Sequence, residues 1–206
     1  LNINIEMLEE YYEYGAIDEK FISEFVLKNT NSIRFLSKTI TDFSDFFRVN
    51  KQKFHFSIKQ KIENTLDIVS SQLTNHHISF TLKGDDIDVY GLSSEFQQVI
   101  LNIINNAKDA IVDKKIDNGK IEILLFKKDK QAIIEISDNA GGIPKEILDR
   151  IYEPYFTTKE QGSGIGMGLY ISKMIIEQNL GGKLFAKNEN DGAVFTIELG
   201  MDDGTE

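Results

Sequence analysis

Near the start of the chain, apolar residues fall at Ile22, Val26, Ile33, Leu36, Ile40, Phe43 and Phe47, and Asn29 fills the one gap in the series. The steps alternate between four and three. That spacing sets one apolar stripe along a helix that packs lengthwise on another helix. One amphipathic helix on a monomeric core would satisfy it. So would an intermolecular bundle with Asn29 as a polar register device. The bundle is favoured, because Leu1, Ile5, Leu8 and Tyr12 repeat in the same rhythm and Gly15 to Asp18 reads as a turn between two helices. A helical hairpin is therefore predicted for residues 1–52.

The pattern then changes, and residues 53–206 read as a separate mixed domain. Ile58 to Leu73 has helical period, Ile78 to Leu82 is strand-like, and Gly84-Asp85-Asp86 is a turn. Asp88 to Tyr90 suits a short strand. Ser93 is the predicted N-cap of a long helix reaching about Asp113. Lys120–Lys128 and Gln131–Asp138 predict a hairpin around Lys-Asp-Lys. Pro144 opens a short helix, and Met167 to Asn179 is another, stopped by Gly181-Gly182. Lys183–Lys187 and Ala193–Leu199 predict a last hairpin around Asn190-Asp191-Gly192. The fold class is α+β: a helical hairpin followed by a two-layer α/β sandwich with a mixed, largely antiparallel sheet.

Composition narrows the chemistry. Of 206 residues, 41% are apolar, which allows a real core, and the formal net charge is −10. An acidic chain is a poor general nucleic-acid binder. With no cysteine, thiolate metal sites and disulfides are excluded. His55, His76 and His77 have no metal-ligand spacing. No apolar run reaches the roughly 18 residues of a membrane span. A cytoplasmic location is expected, with anchoring of a longer protein left open. The opening Leu1 suggests a fragment.

Four segments carry candidate chemistry. In "EFQQVILNIINNAKDA", Glu95 to Ala110, a helical projection puts Asn102, Asn106 and Asp109 on one face and the apolar residues on the other. Asn is a mediocre helix former, so a row of amides suggests hard oxygen ligands for Mg²⁺. A polar solvated face is the plainer alternative. In "ISDNAGGIP" a strand ends in Asp138, which could read the exocyclic amine of adenine or simply make an Asx-turn. In "RIYEPYFTTK" Lys159 could reach phosphates, or it is a solvated lysine beside an aromatic cluster. In "GSGIGMGLYI" glycines occupy Gly162, Gly164, Gly166 and Gly168. Bare backbone of that kind can cradle a phosphate chain or serve as a flexible connection.

The order of the four segments is more specific than any one of them. "LNIINNAKDA", "DNAGGI", "EPYFTTK" and "GSGIGMGLYISKMI" resemble the N box, first glycine box, F box and second glycine box of sensor histidine kinases, within the GHKL ATPase superfamily. The resemblance covers roughly residues 54–199. The preceding hairpin resembles the dimerisation and phosphotransfer helices of that family. It implies the GHKL (Bergerat) fold and a histidine kinase of a two-component system. Such an enzyme binds Mg-ATP, works as a homodimer and relays phosphate to a response regulator receiver domain.

Residue by residue, the resemblance implies Asn106 as Mg²⁺ ligand with Asn102 assisting, and Asp109 beside them in the nucleotide-binding set. Asp138 would read adenine, with Gly142 and Ile143 lining the base pocket. Phe156, Thr158 and Lys159 would belong to a lid, Lys159 with a catalytic part. Gly164, Ile165, Gly166, Gly168 and Leu169 would enclose the triphosphate, and Thr196 would fix adenine through a water. One departure is Ala140, where the family's first glycine usually stands. ATP-hydrolysing relatives carry a Glu one turn before the metal-binding Asn. Here that position is Asn102, and an amide is no general base. Phosphoryl transfer to a protein nucleophile, which needs mainly positioning and charge neutralisation, is therefore expected over hydrolysis. The acceptor histidine of the family lies on the first bundle helix, and none is found there. The fragment is expected to bind ATP without labelling itself at the usual place. The alternative reading is a GHKL serine kinase of the anti-sigma kind, or an ATPase switch.

Overall fold

The computed structural model describes residues 8, 11–15, 17–27, 29, 30, 33, 37, 52–159 and 165–201. The chain divides into two compact units: Leu1–Phe47 with Thr157–Ile165, and Arg48–Phe156 with Gly166–Glu206.

In the first unit, Leu8 and residues 11–13 are helical and Tyr14 and Gly15 turn the chain. Gly15 sits at φ +62, which suits glycine. The helix resumes at Glu19 and runs to Leu27, with 29, 30, 33 and 37 also helical. Asp18 caps it: its carboxylate accepts the Phe21 N–H at 2.6 Å. Tyr11 stacks on Phe21 at 4.5 Å and Phe21 on Phe25 at 5.9 Å, joining the two helical stretches across the turn. Of the stripe's described residues, Ile22, Val26 and Ile33 are 43%, 55% and 52% exposed. Leu1, Ile5, Leu36, Ile40, Phe43 and Phe47 lie outside the described residues.

The second unit begins with β1 (Phe54–Ser57) and α1 (Ile58–Asn75). Ser57 caps α1 by accepting the Gln60 N–H at 3.0 Å. Buried Ile58, Ile62, Leu66, Val69 and Leu73 recur down one side of α1, the period that predicted it. Next come β2 (Ser79–Gly84), β3 (Asp88–Gly91) and α2 (Ser93–Asp113). Ser93 is already helical; Leu92 holds the cap position without a side-chain hydrogen bond, correcting the predicted cap by one residue. β4 (Lys120–Lys128) and β5 (Gln131–Asp138) form the predicted hairpin. A short α3 (Lys145–Leu148) follows Pro144. The predicted helix after the glycines is α4 (Gly168–Met174) running into a π-helical turn, Ile175–Asn179. β6 (Lys183–Glu189) and β7 (Gly192–Gly200) complete the chain's strands among the described residues.

β2, β4, β5, β7 and β6 form a five-stranded sheet in that order, with β2–β4 parallel and the other pairs antiparallel. β1 pairs antiparallel with β3 in a separate ribbon. β1 was not foreseen, because its four residues become a strand only through a partner more than thirty positions away.

Strand alternation decides which face meets the helices. Ile121, Ile123 and Leu125, then Ala132, Ile134 and Ile136, then Ile197 and Leu199, are buried and lie in register across β4, β5 and β7. α2 packs against β4 and β5, α1 against α2, and α4 against α2. Each fully buried side chain contributes about 1.5–3 kcal/mol. On the opposite face Leu124 and Phe185 are exposed, while Ile133, Val194 and Thr196 are buried. The fold is thus an α+β two-layer sandwich.

Candidate nucleotide site

α2 supplies one wall. Its buried side carries Phe96, Val99, Ile100, Ile103, Ile104, Ala107 and Ile111, so Asn102, Asn106 and Asp109 fall on the other side, half-buried. Asn102 Nδ2 faces the start of α4, donating to the Gly168 carbonyl at 3.4 Å and to Ser172 Oγ at 3.3 Å. Ser172 Oγ in turn donates to the Gly168 carbonyl at 2.9 Å. The polar face of α2 and the second glycine segment therefore meet. Among the described residues, no partner bonds the Asn106 side chain. Asp109 pairs with Lys108 at 3.3 Å.

The loop after β5 supplies the second wall. Asp138 shares the helix-facing side of β5 with Ile136 and Ile134. Its Oδ1 accepts the Ala140 N–H at 2.8 Å and the Ala193 N–H at 3.3 Å. The first bond is an Asx-turn, so that plainer reading is realised, yet it occupies only one carboxylate oxygen. Burial raises the Asp138 pKa, opposed by the two backbone donors and by the Lys114 ammonium. Gly141 and Gly142 come next, at φ +72 and +71. A Cβ at Gly142 would lie 2.6 Å from Asn188 Oδ1. Asn188 needs that space, because it clamps Ile143 twice: it accepts the Ile143 N–H at 2.7 Å and donates to the carbonyl at 2.6 Å.

The aromatic segment ends in an aromatic–cation contact, with the Arg150 guanidinium 4.6 Å over the Phe156 ring. Gly166, at φ +71, comes so close that a Cβ there would sit 2.3 Å from the Phe156 carbonyl oxygen. Leu169 is half-buried in the first turn of α4. Thr158, Lys159 and Ile165 fall in the other unit. There the Lys159 N–H donates to Thr157 Oγ1 at 3.1 Å. Gly164 lies outside the described residues.

The sequence of this region matches a known family. The family model described as "Histidine kinase-, DNA gyrase B-, and HSP90-like ATPase" matches residues 91–203. The chain belongs to that family. Among curated relatives of this chain, the two-component sensor PprA of Pseudomonas aeruginosa is 32% identical over 142 residues, covering 66% of this chain and 15% of that protein. A putative NtrY-like sensor histidine kinase of Rickettsia prowazekii is 29% identical over 91% of this chain and 31% of its own length. The chain thus spans less than a third of either relative. Among solved structures, the catalytic domain of histidine kinase ThkA is 28% identical, with a TM-score of 0.66, over 73% of this chain and 97% of that one. ThkA in complex with the response regulator TrrA shares the fold, with a TM-score of 0.74 at 23% identity, over 99% of this chain and 58% of that one.

Two details of this site bear on the sequence expectations. Ala140 stands where the family's first glycine usually does. The left-handed positions are instead Gly141 and Gly142, and Ala140 is buried at 1% exposure, so its methyl group joins the packing. Thr196 does not join Asp138. Leu199 faces the helices, since its Cδ2 would meet a Cβ on Gly182 beside Ile176. Three residues earlier on the strand, Thr196 points to the opposite face, across from Glu135 and Phe185. There its Oγ1 is buried and, among the described residues, has no hydrogen-bond partner. Thr196→Val, nearly the same shape, is expected to leave ATP affinity unchanged. It should alter stability by no more than about 1 kcal/mol, in the stabilising direction. Calorimetric titration and urea unfolding of the variant check both.

Sequence reading missed Ser172, Asn188 and Lys114, which hold the walls in place. Their polar types sat one helical turn past a glycine, in an edge strand and at a helix end, positions where such residues are ordinary.

Proposed function

We propose that the second unit binds Mg-ATP and delivers the γ-phosphate to a histidine, for relay to a response regulator receiver domain. The observation that carries this is the contact of Asn102 with Gly168 and Ser172, with Asp138 on the same side of the sheet. On this reading an adenine reader, a row of amides and a glycine segment line one site. Mg²⁺ fits the donor set. Among the described residues there is no cluster of three or more His, Cys, Asp or Glu. Mg²⁺ prefers oxygen ligands and keeps several from water and phosphate, so one or two from the protein suffice. Asn106 would hold it, with Asn102 fixing α4 beside it. When bound, the ion neutralises phosphate charge.

The chain's own residues do the rest. Asp138 orients the base. Gly166 and Gly168 bring bare backbone to the phosphates. Lys159, with Phe156 and Thr158, would supply a cation and cover on the lid, alongside Gly164 and Ile165. Asn102 cannot take a proton from water, so the γ-phosphate is kept for a protein nucleophile. A neutral imidazole with a pKa near 6.5 can attack without a strong base.

The exposed Ile22, Val26 and Ile33 support a homodimer formed through the helical hairpin. Among the described residues no helix is long and apolar enough to cross a membrane. We place this region in the cytoplasm, where its nucleotide is found.

The test is transfer in trans. Incubated with γ-labelled ATP and a separately supplied helical hairpin bearing a histidine, the chain is expected to label that hairpin with an acid-labile, base-stable phosphate. Alone, it is expected to leave His55, His76 and His77 unlabelled, since none lies on a helix of the hairpin: the first is on β1 and the others come just after α1. Acid-stable phosphoserine on a partner, or free phosphate alone, would favour the serine-kinase or ATPase-switch reading instead.

A further inference from the structure

The loop Asp138–Ile143 is held by hydrogen bonds to both its backbone and its side chains. Asp138 takes the Ala140 and Ala193 N–H groups. Asn139 accepts the Lys120 N–H and donates to the Asn118 carbonyl, both at 2.8 Å. The Gly141 N–H donates to the Asp191 carbonyl at 2.6 Å. Asn188 holds Ile143.

Within the loop, the carbonyls of Ala140 and Gly142 both turn towards one ammonium. Lys114 Nζ donates to the first at 2.5 Å and to the second at 3.0 Å. Lys114 is the C-cap of α2, the helix of Asn102 and Asn106. A cation there also suits the negative end of the helix. This lysine therefore joins the far end of the amide helix directly to the base-reading loop. The join matters because the two walls hold different ends of one ligand. The distance from Asn106 to Asp138 must match the distance from phosphates to base.

We propose that Lys114 is a positioning residue that fixes the base-reading loop against α2 and so sets selectivity for adenine. This rests on the nucleotide-site reading above. A flexible lysine carries this role well, since each carbonyl takes one of its three donors. Arginine offers its donors in a rigid fork and can also reach two oxygens. Methionine keeps the apolar stem and removes every donor. In Lys114→Met the two carbonyls lose their partner, the loop gains freedom, and the Asp138 carboxylate no longer meets the base at a fixed place.

The test compares the dissociation constants of Mg-ATP and Mg-GTP for the full chain and two variants. A guanine cannot offer the exocyclic amine of adenine at the same position, so the ratio reads the base pocket. K114M is expected to shrink that ratio roughly five- to tenfold, chiefly by weakening ATP, as expected for losing charged hydrogen bonds partly open to solvent. K114R is expected to restore it to within about twofold. An unchanged ratio in K114M overturns the proposal. So does a loss shared equally by both nucleotides, or one that K114R fails to restore, since either marks general destabilisation. A wild-type chain that binds neither nucleotide sinks the nucleotide site itself and this inference with it.

Discussion

Replacing Asp138 with asparagine is expected to weaken Mg-ATP binding about a hundredfold, equivalent to about 2.7 kcal/mol. The substitution keeps the side chain's size. Its amide oxygen can still accept the Ala140 and Ala193 N–H groups that Asp138 Oδ1 holds. It removes the second acceptor oxygen, putting an amine where the base presents its own donor. Two donors facing each other in a half-buried place repel.

The same residue sets the acid limb of binding. Burial lifts the Asp138 pKa above its ordinary value of 3.8. On the proposed role the charged form binds adenine, so affinity is expected to be full above the raised pKa and lost as pH falls through it. That loss therefore starts at a higher pH than an exposed aspartate would show. For the fold the sign is opposite. A carboxyl with a raised native pKa stabilises the folded chain below its unfolded pKa, and that contribution disappears as pH rises through the native value. Near neutral pH the buried charge is thus a burden, and Asp138→Asn should not lower stability. Titration calorimetry from about pH 4.5 to 8, with urea unfolding beside it, separates the two effects. A variant that binds ATP as the wild type does removes Asp138 from the base-reading role.

Gly192→Ala is expected to destabilise the fold by about 3 kcal/mol and to weaken nucleotide binding with it. A Cβ built on Gly192 lands 1.6 Å from the Asp138 carbonyl oxygen and 2.6 Å from its carbonyl carbon. Both atoms are backbone, so no rotamer relieves the clash. The strands must part at the end of the β5–β7 ladder, just beyond the Ser137–Val194 pair. The Ala193 N–H that steadies Asp138 is carried away with them. Gly200, at the other end of β7, gives the control: a Cβ there meets nothing within 4 Å. Gly200→Ala should melt within about 0.5 kcal/mol of the parent chain. Equal melting of the two variants would refute the close approach.

Much of this site was legible before any coordinates, for a physical reason. The amides of α2 stood out because Asn is costly in a helix, and the strand-ending Asp138 stood out because glycines come soon after it. The β4–β5 and β6–β7 hairpins were equally plain, since their turns are written locally; Asn190 and Asp191 both take left-handed φ, at +49 and +59. The hidden part is non-local. β1 becomes a strand only by meeting β3. The face chosen by Thr196 depends on the register with β5 and β6. Lys114 and Asn188 act on backbone far away in sequence, and nothing in their neighbours announces it.

The π-helical turn at Ile175–Asn179 has a further meaning. Its Leu180 N–H reaches the Ile175 carbonyl at 3.0 Å, five positions back. Such a turn holds one residue more than an ordinary helical turn. The surplus residue rotates the helix end, and Asn179 arrives where its amide donates to the buried Glu95 at 2.7 Å. A cousin with an unbroken helix would need one amino acid fewer before the Gly181-Gly182 pair. Aligned by eye, it would show a single-position gap that marks a bulge, with no loop gained or lost.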